Sequence, residues 1–187
     1  MPVIEVVEYD PVWSDLFADL RALYSSAFER ALVQVVAIEH VGSTAVPGLA
    51  AKPVVDVDIV VDADHVASAT AVLESIGFQA LGELGIPQRW AFKEPGTLPR
   101  TNTYVVVRDS LALKNHLCLR DTLRADPDLR DAYSAVKRDV GATAADIYEY
   151  GQGKDAMIQK ILARGGLSEQ ERDSIASNQV PGPEVPR

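Results

Sequence analysis

The sequence predicts an α+β fold, in which a small mixed sheet is flanked by helices and followed by a helical C-terminal half. Three observations predict it. Short segments of alternating apolar and polar residues, typical of strands, lie before residue 110. Apolar residues spaced three and four apart, typical of amphipathic helices, occur at 14–28 and 64–76. The same helical spacing fills three consecutive segments after residue 110.

The first elements follow from this pattern in chain order. The helix over 14–28 has Ser14 available as its N-cap. Residues 33–41 and 54–61 are predicted to be strands of one sheet, joined by a connector that contains Pro and Gly. The helix over 64–76 follows and ends before a glycine.

The remaining elements are three short strands and three helices. The strands are FQAL (78–81), RWAFKE (89–94) and TNTYVVV (101–107). The helices are expected near 110–124, 127–140 and 145–163. We expect one domain over residues 1–165 and a disordered, polar and proline-rich tail over 166–187.

Composition limits the classes of protein that fit. The chain has 187 residues, 47% of them hydrophobic, which suits one globular domain with a sizeable core. Its single cysteine, Cys118, excludes an internal disulfide and a cysteine metal site, and favours a reducing compartment. No apolar run reaches the ~18 residues of a membrane span, and no signal peptide is indicated. The sequence therefore predicts a cytoplasmic protein without a membrane partner.

The charge is distributed unevenly along the chain. The net charge of −9 argues against a general nucleic-acid coat, because Lys and Arg dominate phosphate binding. Residues 1–86 carry 3 Lys or Arg against 13 Asp or Glu, whereas residues 87–187 carry 15 against 14. Two ordinary solvated surfaces explain this pattern. So does a carboxylate cluster for a cation that faces basic groups for an anionic ligand.

Asp56 and Asp58 form the most informative motif. Side chains two apart on a strand share a face, so the two carboxylates project together from Cα atoms roughly 6.5 Å apart. Carboxylates this close repel each other unless a cation bridges them, and hard oxygen ligands suit Mg²⁺. An isolated Asp-x-Asp, however, is more often the exposed face of an edge strand.

The residues before this strand change the interpretation. Gly42 allows close backbone approach, and Ser43 offers a hydroxyl and an amide to a phosphate oxygen. Gly-Ser, about ten residues and then Asp-x-Asp on a strand resembles the signature of the nucleotidyltransferase superfamily. That superfamily has a small α+β core.

Further phrases narrow the resemblance. YDPVW (9–13), HVGSTAVPGLAAKPVVDV (40–57), NHLCLRDTLRADP (115–127), AYSAVK (132–137) and the spacing of Tyr150, Lys154 and Ile158 together resemble the GrpB family. They cover roughly residues 2–165. The resemblance implies a nucleotidyltransferase-like fold and does not define a substrate.

The resemblance also implies a nucleotide and metal site. Its expected metal is Mg²⁺ or Mn²⁺, its expected partner is a nucleoside triphosphate, and the acceptor, base preference and oligomeric state have no signal in the sequence. Asp56 and Asp58 are the expected catalytic and metal-binding residues. The expected nucleotide-binding residues are Gly42, Ser43, Lys52, Arg100 and Lys154.

The third carboxylate typical of the superfamily is missing. It usually lies on a later strand, but RTNTYVVV has none, and Asn102, Thr103 and Tyr104 stand where many GrpB relatives have histidines. Glu94 and Asp109 are substitutes in principle.

Two hypotheses follow: a metal-dependent nucleotidyltransferase, or a non-catalytic nucleotide- or partner-binding module of the same fold. GrpB-like domains also resemble segments joined to dephospho-coenzyme A kinase, but this chain has no P-loop.

Several other polar residues have a structural interpretation beside a functional one. His40, near Gly42, could touch a phosphate but is more often hydrogen-bonded structure at a strand end. His116 and Cys118 are two apart on a predicted helix, which argues against a nucleophile pair. Arg89, Lys93 and Arg100 flank the hairpin and could clamp phosphate oxygens, although each alone is more often a solvated surface charge. Arg120 and Asp121 lie in the family phrases, and a polar network that holds the fold also explains them.

Overall fold

The computed structural model describes residues 4–178 and contains five strands and six helices within them. The helices are α1 (Val12–Ala31), α2 (Val66–Ser75), α3 (Leu111–Ala125), α4 (Pro127–Thr143), α5 (Ile147–Arg164) and α6 (Glu169–Asn178). The strands are β1 (Ala37–Val41), β2 (Val55–Val61), β3 (Gln79–Gly82), β4 (Arg89–Lys93) and β5 (Thr101–Val107).

The strands form one mixed sheet in the order β1-β2-β5-β4-β3. The β2–β5 pair is parallel and the other pairs are antiparallel. The prediction of a small mixed sheet is confirmed. β2 lies between two neighbours, so Asp56 and Asp58 do not form the exposed face of an edge strand.

The two faces of the sheet meet different layers of helix. α1 and α2 cover the face that carries the alternate apolar residues of β2, among them Val57 and Ile59, which have no exposed surface. α3 crosses the opposite face, where Val60 and Val106 pack against Ala112 and Leu113. α4 and α5 pack beside α3 around a second apolar cluster that includes Leu123, Tyr133 and Ile161. Alternation along β2 therefore separates an apolar face from the face that carries the aspartates.

Two predicted element boundaries are corrected. α1 begins at Val12, whose N–H is accepted by the Asp10 carboxylate, so Ser14 lies inside the first turn and is not the N-cap. β1 begins at residue 37 rather than 33, because β2 ends at Val61 and leaves the earlier residues without a strand to pair with. The other predicted strands and helices agree with the structure to within a few residues.

The segment after residue 165 differs from the predicted disordered tail. Residues 169–178 form α6, which packs on α3 and α5 and buries Ile175 to 5% exposure. The helix is polar overall and has only this one anchor, which explains why its periodicity gave no signal. The rest of the predicted tail, residues 179–187, lies outside the described residues. Within residues 4–178, no helix is both long enough and apolar enough to cross a membrane.

A substitution at Tyr24 tests the hydrogen bond that joins α1 to the sheet. Its hydroxyl lies 2.8 Å from Thr103 Oγ1 across the buried α1–β5 contact, and its side chain is fully buried. Tyr24→Phe keeps the shape and removes this hydrogen bond, so we expect a loss of about 1 kcal/mol of unfolding free energy in urea denaturation. Tyr148→Phe is the control: its hydroxyl accepts only an exposed hydrogen bond from Gln152 on the same helix, so the loss should be much smaller. Equal stabilities of the two variants would contradict a stabilising hydrogen bond between Tyr24 and Thr103.

Candidate functional site

Asp56 and Asp58 project from the same face of β2 into different surroundings. Asp56 is half-buried, and its Oδ1 accepts a hydrogen bond of 2.6 Å from Asn102 Nδ2 on β5. Asp58 has no exposed surface, and its Oδ2 accepts a hydrogen bond of 2.8 Å from His116 Nδ1 on α3. The two carboxylates thus share a face, as predicted, but only Asp56 borders an open space.

Burial and neighbours set the ionisation of this cluster. Burial raises the pKa of Asp56, and the charge of Asp58 adds to the rise. The hydrogen bond from Asn102 and the charge of His116 act in the opposite direction. For His116, burial acts to lower the pKa, but the charge and hydrogen bond of Asp58 outweigh it and raise that pKa. The charged His116–Asp58 pair is thereby favoured.

Gly42 fits against the Asp56 carboxylate. It follows β1 with φ 69° and ψ −169°, a conformation that is essentially restricted to glycine. A Cβ built there would overlap Asp56 Oδ2. Glycine is therefore required both by the backbone turn and by the position of the carboxylate, whereas the predicted approach of this backbone to a phosphate stays a prediction.

A cavity of about 320 Å³ opens beside Asp56. Its lining brings together five residues predicted from the sequence: Ser43, Lys52, Asp56, Arg100 and Lys154. It also contains Asn102, Lys137 and Tyr150, which the sequence analysis did not select. The α4–α5 layer supplies the wall opposite the sheet. Within the described residues, the lining thus contains one carboxylate and four basic side chains, which are Lys52, Arg100, Lys137 and Lys154.

Two lysines in this wall are strongly affected by burial. Lys137 on α4 is 2% exposed, and burial followed by repulsion from Lys154 and Lys52 lowers its pKa to about 7, although Asp56 opposes the shift. Burial and Lys52 lower the pKa of Lys154 on α5 to about 8. Each ammonium also faces an aromatic ring, with Lys154 Nζ 3.9 Å from the Tyr150 ring centroid. Near neutral pH the cavity can therefore gain positive charge when an anion enters.

Lys137 could have been found from the sequence. Leu129, Tyr133 and Lys137 recur every four residues on the buried face of the predicted helix over 127–140, and a lysine on an apolar face is unusual. His116 gave no comparable signal, because its partner Asp58 is 58 residues away in sequence. Only the packing of α3 across the sheet brings the two together.

Neither substitute for the third carboxylate reaches the site. Asn102 is the residue paired with Asp56, so an amide stands beside the first aspartate. Glu94 follows β4 and acts electrostatically on Tyr24 of α1, beyond the opposite face of the sheet. Asp109 lies in the turn after β5, and the five residues from Asn102 to the end of that strand alone span roughly 16 Å. Within residues 4–178, no three His, Cys, Asp or Glu side chains form a metal cluster.

His40 lies outside the cavity. Its ring stacks on Phe17 of α1 at 4.6 Å, and its Nε2 lies 3.0 Å from Thr44 Oγ1. Burial, reinforced by Arg124 and Arg120, lowers its pKa to about 4. His40 therefore has the structural role that the sequence analysis allowed.

The remaining candidates are distributed around α3. Arg120 bonds Glu39 and Asp121 at 2.7 Å each, and so forms a network that ties α3 to β1. Cys118 packs against Leu162 of α5, on a different side of α3 from His116, so the two form no nucleophile pair. Two residues of β4 do not line the cavity beside Asp56: Arg89, which lies over the Tyr104 ring, and the exposed Lys93.

Comparison with solved structures defines the class of fold. The Cid1 poly(U) polymerase with bound MgGTP superposes with a TM-score of 0.55, covering 80% of this chain and 50% of that one at 16% identity. The GrpB protein of Enterococcus faecalis superposes with a TM-score of 0.73, covering 92% and 99% at 26% identity. The chain therefore has a nucleotidyltransferase-like fold.

Sequence comparison then gives the family. The GrpB protein family model matches residues 3–164, and the chain belongs to this family. The UPF0157 protein BH1888 of Halalkalibacterium halodurans is 34% identical over 170 residues, which cover 88% of this chain and 84% of that protein. The UPF0157 protein YqkA of Bacillus subtilis is 30% identical over 83% of this chain. The match spans only 45% of YqkA.

Gly42→Ala tests the contact between the turn and Asp56. We expect a loss of about 1–3 kcal/mol from the positive φ, together with displacement of the Asp56 carboxylate, measured by urea denaturation and by the NMR signals of the Asn102 side chain. Gly85→Ala is the matched control, since Gly85 has φ 79° but open space around its Cβ position. An undisturbed Asn102 signal in Gly42→Ala would contradict the proposed fit.

Proposed function

We propose that this chain is a metal-dependent nucleotidyltransferase that binds a nucleoside triphosphate in the cavity beside Asp56. The observation that supports it most is the cavity lining, in which Lys52, Arg100, Lys137 and Lys154 surround a space bordered by one carboxylate. The chain as a whole carries a net charge of −9, so this concentration of basic groups is local. A polyphosphate has the charge and the acceptor oxygens that such a lining binds.

The Gly42-Ser43 turn would hold phosphate oxygens at the mouth of the carboxylate site. Ser43 is half-buried and lines the cavity, and it begins a short 3₁₀ turn over Ser43–Ala45. Its hydroxyl can donate to a phosphate oxygen, and the absence of a side chain at Gly42 leaves room for the Asp56 carboxylate. The turn and the lysines would then contact different parts of one triphosphate.

The donor set is suited to Mg²⁺ or Mn²⁺. Asp58 Oδ1 is buried and has no hydrogen-bond partner among residues 4–178, and Asp56 stands two residues away on the same face. Mg²⁺ is commonly held by one or two carboxylates together with substrate phosphates, so two aspartates are sufficient donors. When bound, the metal would neutralise phosphate charge and polarise the phosphoryl group. Asp56 would hold the metal on the cavity side, and His116 would orient Asp58 behind it.

A solved structure of similar fold is consistent with this proposal. The Cid1 poly(U) polymerase has been solved with bound MgGTP, and its fold is similar to that of this chain. Transfer of a nucleotidyl group would need the triphosphate to be positioned and its charge stabilised, which are the functions a preformed cationic cavity serves. The acceptor would be a hydroxyl compound that enters from the solvent side.

A non-catalytic nucleotide-binding module is the second candidate. Asn102 stands beside Asp56 where a third carboxylate would be useful, and His116 already engages one oxygen of Asp58. Both features reduce the negative charge available to a second metal or to a base. A module of this kind would bind the metal–nucleotide complex and release it unchanged.

Binding is tested first, by titration calorimetry with ATP, GTP, CTP and UTP in the presence and absence of Mg²⁺. We expect Mg²⁺-dependent binding of at least one of them, and Asp56→Asn should weaken it at least tenfold because the metal loses a charged ligand. Asp139→Asn, at an exposed site on α4, is the matched control and should bind normally. Metal-independent affinity that survives Asp56→Asn would contradict the proposed site.

Transfer is tested by pyrophosphate release from each bound triphosphate, in screens of small-molecule, protein and RNA acceptors. We expect release that Asp56→Asn abolishes. Ser43→Ala should weaken triphosphate binding by about 1 kcal/mol, the value of one hydrogen bond. Binding without release from any acceptor would favour the module over the enzyme.

The two buried lysines predict how triphosphate affinity depends on pH. Their pKa values of about 7 and about 8 in the free protein must rise when an anion binds, so binding takes up protons and is tighter when the lysines are already protonated. Affinity should therefore fall at least about tenfold between pH 6 and pH 9. Calorimetry in buffers of different ionisation enthalpy measures the proton uptake.

Variants separate this effect from titration of the nucleotide itself. Lys137→Met should reduce both the proton uptake and the slope with pH. Lys160→Met, at an exposed position on α5, should leave both unchanged. Proton release instead of uptake would contradict the assignment.

A further inference from the structure

A second cavity lies on the other side of the Asp58–His116 pair. It has a volume of about 230 Å³ and is bounded by the segment before β4, the first turns of α3 and the end of α6. None of its lining residues lines the cavity beside Asp56. It is smaller than the ~300–1,000 Å³ of sites for drug-sized ligands, so it suits a small molecule.

One wall of this second cavity carries a fixed positive charge. The Arg89 guanidinium lies over the Tyr104 ring, 4.3 Å from its centroid. Its Nε is buried and has no hydrogen-bond partner among residues 4–178, and no ion pair to Arg89 occurs within them. A buried guanidinium nitrogen without an acceptor is costly, and a bound anion would supply one.

His116 adds a second polar group to the same wall. Its Nδ1 donates to Asp58, so the Nε2 at the far side of the ring is the nitrogen left for the cavity that His116 lines. Asn115, its neighbour on α3, adds a carboxamide. Arg89 is the side chain of this lining that carries a permanent charge, which suits an anion with a single charge.

The rest of the lining is mainly apolar. Ile86, Leu111 and Ala112 line it, and Ile175 of α6 contributes a side chain that is only 5% exposed, beside the polar Gln88 and Asn178. An inorganic anion would leave this surface against water, whereas a short aliphatic chain would cover it. We propose that the second cavity binds a small organic monocarboxylate, with its carboxylate on Arg89 and His116 and its aliphatic part against α6 and the start of α3. This proposal is independent of the proposed function.

The test uses a pair of compounds of the same shape. The ¹⁵N-labelled full chain is titrated with 4-methylpentanoate, with its neutral amide 4-methylpentanamide and with inorganic phosphate, while amide shifts are followed. We expect saturable shifts at Ala112, Asn115 and Ile175 for the carboxylate, with a dissociation constant in the millimolar range or below. The amide and phosphate should each bind at least tenfold more weakly.

Two variants of Arg89 and one control complete the experiment. Arg89→Gln should weaken 4-methylpentanoate binding at least tenfold, and Arg89→Lys should retain part of it because the charge remains. Arg108→Gln, at an exposed site that pairs with Asp62, should bind normally. The proposal is overturned if no saturable shifts occur, if the amide or phosphate binds as tightly as the carboxylate, or if both Arg89 variants bind like the native chain. Should Arg89→Gln not fold, Arg89→Lys and the matched compounds decide the question alone.

Discussion

The register of the parallel β2–β5 pair determines where the two aspartates of the site lie. It sets Asp56 opposite Asn102 and Asp58 opposite Tyr104. A slip of one residue would turn both carboxylates into the apolar layer beneath α1 and α2. That layer buries the alternate residues of β2, each of which contributes roughly 1.5–3 kcal/mol, whereas burying unpaired carboxylates there would cost several kcal/mol each. The hydrophobic face thus fixes the position of the acidic one.

The same face meets two environments because α3 covers only part of it. Along β2, Asp58 lies under α3 and is met by His116, while Asp56 lies beyond it and borders the cavity closed by α4 and α5. Arg120 strengthens this arrangement by joining α3 to Glu39 of β1. One aspartate is therefore a buried partner of a helix, and the other is available to a ligand. The cavity beside Asp56 and the second cavity lie on the two sides of this division.

Much of this arrangement could be predicted from local pattern. Period-two alternation identified β2 and the shared face of Asp56 and Asp58. Gly42-Ser43 was selected as a phosphate-binding turn, and its contact with Asp56 is known only from the structure. Contacts between distant segments could not be predicted in this way. The His116–Asp58 bond depends on the angle at which α3 crosses the sheet, and the Asn102–Asp56 bond depends on strand order. α6 was missed because one buried side chain, Ile175, anchors a helix whose other residues are polar.

The burial of Lys137 and Lys154 beside each other lowers the stability of the fold when the cavity is empty. A methionine or leucine at Lys137 would fill the space between α4 and the sheet without the desolvation that lowers the lysine pKa to about 7. Each unit of such a shift corresponds to ~1.4 kcal/mol of preference for the neutral form, so holding a charged lysine there costs the empty protein several kcal/mol. Lys154 adds to this cost, since the two ammonium groups repel each other. The anionic ligand proposed above would lower both costs, because it would neutralise the repulsion and replace the lost solvation. The proposed anion-binding role would therefore explain a cost that a purely structural role does not.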